Sequence, residues 1–104
     1  MDRLRKRVLL SAQRALLGEI YPEIRGICVG FSNKLLHIIF YMDRTPIESD
    51  YDTISSVSGE IISDFKFPEE FDRVQEDCVF SNDPITNLNS LDDWVYIRKE
   101  NGNA

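Results

Sequence analysis

The chain has 104 residues, a formal net charge of -6, and 42% apolar and 11% aromatic side chains. A length of this order makes one domain, spanning 1–104, which can bury roughly 65% of its unfolded surface and needs no metal or disulfide to hold a core. The apolar content excludes a disordered chain, and no apolar run approaches the ~20 residues of a membrane-spanning helix.

The first element is a helix over residues 3–20. Leu4, Val8/Leu9, Ala12, Ala15/Leu16 and Ile20 recur at three- and four-residue spacing, and Pro22 closes the segment. Arg3, Arg5, Lys6 and Arg7 crowd its first turns, where the helix dipole prefers negative charge. They either lean on acidic groups of the same protein or touch an anionic partner. Ser11, Gln13 and Arg14 interrupt the apolar run that follows, so a signal peptide is not expected and the expected compartment is the cytoplasm.

A hairpin follows. In 24–31, Ile27, Val29 and Phe31 share one face, and Gly26, Cys28 and Gly30 the other. Ser32-Asn33-Lys34 turns the chain into 35–42, apolar on both faces as in a central strand. Thr45-Pro46-Ile47-Glu48 then reads as a helix start with Thr45 as cap. The helix carries Tyr51, Ile54, Val57/Ser58, Ile61 and Phe65 on its apolar stripe, with Asp50, Asp52, Glu60 and Asp64 off it. Gly59 in its middle would let it approach the sheet closely.

Residues 71–80 read as a third strand, entered through the charged stretch Pro68–Asp77. That stretch carries Glu69, Glu70, Asp72, Glu76 and Asp77. A strand so charged suits the exposed face or edge of a sheet that meets a partner. A polar loop over 81–90 leads to a fourth strand, Trp94–Lys99. Its alternation would turn Val95 and Ile97 to the helices and Trp94, Tyr96 and Arg98 away. Residues 99–104 read as a frayed tail. The fold class is therefore α+β, in the order α-β-β-α-β-β: a mostly antiparallel four-stranded sheet with two helices on one face and the other face open.

The residues offer little catalytic chemistry. His37 is the sole histidine and lies within an apolar strand; no cysteine–histidine, glycine-rich phosphate loop or metal-ligand spacing is present. Cys28 and Cys78 sit in apolar strands and read as free thiols. No cofactor, metal or enzymatic activity is expected. Binding is better supported. Residues 43–93 hold fourteen carboxylates against Arg44, Lys66 and Arg73, a net of -11, whereas residues 1–14 carry a net of +4. An acidic surface repels nucleic acid and membranes and steers basic proteins. The candidate partner-binding residues are Glu69, Glu70, Asp72, Glu76, Asp77, Asp83, Asp92 and Asp93, with Trp94 and Tyr96 as aromatic anchors.

Three segments carry a family resemblance. They are Ala15–Pro22, the helix segment Gly59–Phe65, and the closing run Trp94-Val95-Tyr96-Ile97-Arg98-Lys99-Glu100. From about residue 9 to residue 100 the chain resembles small bacterial proteins encoded beside polymorphic toxins. That group includes the immunity proteins of contact-dependent growth inhibition systems. The resemblance implies a cytoplasmic inhibitor of a cognate toxin's C-terminal domain. Toxins of this kind are often nucleases with basic clefts, some ribonuclease A-like, and the inhibitor would block the active site. A non-enzymatic adaptor binding another basic protein, and a nucleic-acid binder acting through Arg3, Arg5, Lys6 and Arg7, are the competing readings.

Overall fold

The structure, a computed structural model, describes residues 3–100. Helix α1 spans Arg3–Ala15, strands β1 and β2 span Ile24–Ser32 and Leu35–Met42, helix α2 spans Glu48–Ser63, and strands β3 and β4 span Arg73–Phe80 and Asp93–Ile97. The chain order is the α-β-β-α-β-β of the sequence reading. The four strands form one sheet in the order β3-β2-β1-β4.

The β1–β2 hairpin turns on Asn33 and Lys34, both in the left-handed region (φ 49° and 63°), the two-residue turn whose twist suits paired strands. β1 also pairs antiparallel with β4, whereas β2 and β3 run parallel in an unbroken register from Leu35↔Arg73 to Met42↔Phe80. The parallel pair follows from α2. A crossover helix returns the chain to the end of the sheet where β2 began, so the next strand must run in the same direction.

One face of the sheet carries the main core. Ile27 and Val29 of β1 and Leu36, Ile38, Phe40 and Met42 of β2 meet Val8, Ala12 and Ala15 of α1 and Ile54, Val57 and Ile61 of α2. Phe71 lies before β3 rather than in it and plugs this core, edge-on to Phe65 at 5.1 Å.

Several local expectations change. Helix α1 stops at Ala15, and a turn with Gly18 at φ 78° completes the segment read as helix to residue 20. Helix α2 begins at Glu48, so Thr45 is not its cap. The Asp50 carboxylate accepts the Ile47 N–H at 2.8 Å instead. Asp50, placed off the stripe by periodicity, is fully buried, while Tyr51, placed on it, is half exposed. Nothing lies close to the site a Gly59 side chain would occupy, so that glycine serves no close approach.

Cys28 and Cys78 are free, and they point to opposite faces of the sheet: Cys78 packs on the helix-side core and Cys28 beneath the other face. Burial pushes the Cys28 thiol up to about 12 and the Cys78 thiol up to about 11. Alkylation should label neither quickly in the native state and both in denaturant without reductant; a requirement for reductant would contradict this arrangement. Ile61→Ala should lower unfolding stability by roughly 2–5 kcal/mol, because Ile61 is fully enclosed by the helix-side core. A denaturation midpoint equal to the parent's would remove Ile61 from that core.

Candidate functional site

β3 and β4 occupy opposite edges of the sheet, so the segment between them must cross it. It crosses over the face away from the helices. Ile85 of the short 3-10 turn Ile85–Asn87 is buried, and Leu88, Leu91 and Trp94 pack on Cys28, Ile39 and Tyr41. The Tyr41 hydroxyl donates to the Asn89 carbonyl at 2.7 Å, and the Cys28 thiol faces the same carbonyl at 3.5 Å. The face expected to be open is therefore strapped along much of its length.

The strap lies close because β1 is glycine-rich on that face. A Cβ on Gly26 would meet the Trp94 ring at 2.8 Å, and one on Gly30 would meet Leu91 at 3.0 Å. What stays uncovered is a depression of about 210 Å³ lined by Gly30, Phe31, Ser32, Leu35, His37, Leu91 and Asp92. His37 pairs there with Asp77, Nε2 to Oδ2 2.7 Å, and Gln75 donates to the same oxygen at 3.0 Å. Cys28 lies under the strap with a raised thiol pKa, so it is no nucleophile for His37. Among the described residues no group of three or more histidine, cysteine or acidic side chains is arranged to hold a metal, and no helix is long and apolar enough to cross a membrane.

The ten candidate partner residues divide between the two edges. Glu69, Glu70, Asp72, Glu76 and Asp77 lie on or just before β3, whereas Asp92, Asp93, Trp94 and Tyr96 lie at β4. Two strands separate the groups, roughly 14 Å across. Asp83 is exposed in the strap.

Many of these carboxylates already have internal work. Glu70 accepts Arg7 at 2.5 Å and the Lys66 N–H at 2.9 Å, which holds its carboxyl down at about 2. Arg5 grips Asp93 through Nε and Nη2 at 2.8 and 2.5 Å. Asp92 accepts the Phe31 N–H at 2.9 Å, and Asp72 pairs with Arg73 at 3.0 Å. Arg14 pairs with Asp64, which also accepts Ser11 at 2.6 Å. The basic first helix thus leans on acidic groups of its own protein. Glu76 faces the helix side and accepts Ser55 at 2.8 Å and Ser58.

The aromatic anchors need correction. The β1–β4 register shifts between Ile27 and Cys28, so Ile27 pairs with Tyr96 while Cys28 pairs with Trp94. The extra residue, Val95, lets both Val95 and Tyr96 pack on the helix side. Tyr96 is therefore not on the outer face, and Ile97 is exposed instead of facing the helices. Trp94 does face away from the helices, but it is half-buried against Tyr41, ring centroids 5.7 Å apart. Arg98, expected to point outward, donates to the Pro22 carbonyl at 2.8 Å and to Asp43 at 2.6 Å.

Two buried charge networks escaped the sequence reading. Asp50 accepts Tyr21 at 2.5 Å and Arg44 at 2.6 Å. Burial raises the Asp50 carboxyl, but the bonds from Arg44, Tyr21 and the Ile47 N–H outweigh it and bring it to about 2. Arg25, buried at the start of β1, holds Glu100 by two bonds of 2.9 and 2.8 Å and donates to the Ser81 carbonyl at 2.8 Å. Arg25 with Arg98 holds the Glu100 carboxyl down at about 2. Lys99 and Glu100 fall in the stretch expected to fray, yet Glu100 is fixed; 101–104 lie outside the described residues. The sequence signal for this network was the closing run itself, whose Arg98 and Glu100 tie the ends of β1, β2, β3 and β4 together.

The chain belongs to the MafI2 immunity protein family, which matches residues 5–100. This makes it an immunity protein of a polymorphic toxin system, and its partner a cognate toxin protein. The match to MafI2 does not extend to the contact-dependent inhibition group specifically. No curated protein matches the chain. Among solved structures, a tryptophan-to-alanine variant of the MamM CTD shares 11% identity at a TM-score of 0.51, covering 88% of this chain and 93% of that one. The zinc form of an aspartate-to-asparagine variant shares 13% at 0.49, covering 85% and 93%. The first likeness is one of fold alone.

Asp50, Glu70 and Glu100 are all depressed below their ordinary values of 3.8, 4.5 and 4.5. Their contribution to stability is complete above about pH 4.5 and is lost as pH falls towards about 2. Glu100→Gln should cost roughly 1–3 kcal/mol at neutral pH, because Arg25 loses its charged partner. The same change should flatten the fall in melting temperature between pH 4.5 and 2. An unchanged slope would mean that Glu100 ionisation is not coupled to folding.

Proposed function

We propose that the protein neutralises its cognate toxin in the cytoplasm by binding the toxin's C-terminal domain and blocking its active site. The toxin is a basic nuclease, ribonuclease A-like in the sharpest form of this reading, delivered by contact-dependent growth inhibition. The protein itself turns nothing over. Membership of the MafI2 immunity protein family over residues 5–100 carries the reading.

Electrostatics supports the nuclease part. Seven arginines form ion pairs with Asp43, Asp50, Asp64, Glu70, Asp72, Asp93 and Glu100. Among the described residues, Glu48 and Asp52 on α2 and Glu69, Glu76 and Asp77 at β3 form no ion pair with an arginine. They place negative charge along the β3 edge of the sheet, with Glu76 on its helix face and Asp77 on the other. A nuclease cleft built to hold phosphates presents the complementary charge. An adaptor role toward another basic protein would use the same charge, but nothing in the family match favours it.

The test is co-expression with the toxin domain encoded beside this gene. Growth should be restored, and a one-to-one complex should form whose association slows as salt rises, since exposed charges are screened over about 10 Å at 0.1 M. A toxin domain that is neither bound nor silenced by the parent protein would remove the immunity reading. Failure of association to slow with salt would remove the electrostatic part alone.

A further inference from the structure

We propose that the toxin is captured by strand addition at the free edge of β3, through a basic extended segment that continues the sheet. The inference rests on the immunity reading above and names the surface that serves it. Both outer strands offer unpaired backbone, but they differ. β4 has five residues and a register shift, and Arg5 from α1 grips its first residue, Asp93. Shortness and a bulge are the usual means of blunting an edge.

β3 has neither protection. It runs eight residues in regular register against β2. The Arg73 N–H donates to the Lys34 carbonyl at one end, and the Ser81 N–H donates to the Met42 carbonyl at the other. Both ends set the same alternation, so the backbone groups of Val74, Glu76, Cys78 and Phe80 point outward, unpaired by the sheet. Val74, Val79 and Phe80 are 36%, 37% and 44% exposed, an apolar lining on both faces of that edge. Eight residues long, unbulged and with apolar side chains on both faces, such an edge is a template for another strand.

Charge decides the occupant. Glu76 and Asp77 sit at the middle of β3, so an antiparallel pairing of two copies about the strand centre sets either Glu76 or Asp77 opposite its own counterpart in the second copy. Like charges opposite one another destabilise strand pairs. The same two carboxylates favour a strand that carries lysine or arginine there, which is the chemistry of a basic nuclease surface. A second copy is therefore disfavoured and a basic toxin segment is favoured.

Hydrogen exchange on the parent protein, alone and mixed with the neighbouring toxin domain, tests this directly. The amides of Val74, Glu76, Cys78 and Phe80 should exchange quickly in the free protein and become protected in the complex, while the β4 amides stay unchanged. Asp77→Lys and Val79→Lys, each checked for parental thermal unfolding, should weaken binding by roughly 30–100-fold. Glu19→Lys, past the end of α1, makes the same charge change as Asp77→Lys and should leave binding within about twofold of the parent. If the complex forms but those four amides exchange as in the free protein, the strand-addition inference is overturned and the immunity reading stands. If those amides are protected without toxin and the mass is that of a dimer, a second copy occupies the edge and the inference is likewise overturned. If no complex forms, both fall together.

Discussion

The structure depends on one topological constraint: β3 and β4 lie at opposite edges, and the chain between them has to cross the two inner strands, β2 and β1. Because α1 and α2 occupy one face, the crossing takes the other. The glycines of β1 make room for it, and Tyr41 and Cys28 bind its backbone through Asn89. The crossing turns a two-layer α+β sheet into a partly covered one. It removes the broad flat face that such a sheet would otherwise offer a partner, and so moves the available surface to the edges and the α2 side.

Electrostatics follows from the same arrangement. The strands' ends are held by Arg25, Arg98, Asp43 and Glu100, and the start of α2 by Asp50, Arg44 and Tyr21. A pair buried on both sides, such as Arg25 with Glu100, stabilises little in net terms, because desolvation offsets much of the attraction, but breaking it leaves a buried charge unmatched. The effect of these pairs is to fix how elements distant in sequence meet. The pairs also consume arginines, which leaves the remaining carboxylates uncompensated. The acidic character of the protein is thus a property of particular surfaces rather than of the whole chain.

How much of this could be read in the sequence varies with the physical signal. The hairpin, both helices, the charged strand at an edge and the α-β-β-α-β-β order rest on local periodicity, which needs no knowledge of neighbours. The failures are non-local. Tyr96 changes face because one bulge shifts the β4 register, and alternation alone cannot show a bulge. Asp50 is buried because Arg44 and Tyr21 reach it, and periodicity sorts a carboxylate outward by default. The strap was legible as a polar loop, but its path depends on strand order, which spacing does not determine. The candidate contacts separated for the same reason: Asp77 and Asp92 both belong to one acidic half of the chain, yet strands of that half end on different edges.

The charged stretch at β3 shows why an edge strand can be both safe and useful. An apolar central strand such as β2 would aggregate if placed at an edge, so the strand left outside has to carry something that opposes self-pairing. Carboxylates at its centre do so without bending it, unlike the bulge at β4. Bending or shortening would close the edge to every partner. Charge closes it to copies of itself and to other acidic chains only. The device that keeps the free protein from pairing with itself therefore also selects for basic partners, and an inhibitor awaiting a basic toxin requires both properties of the same strand.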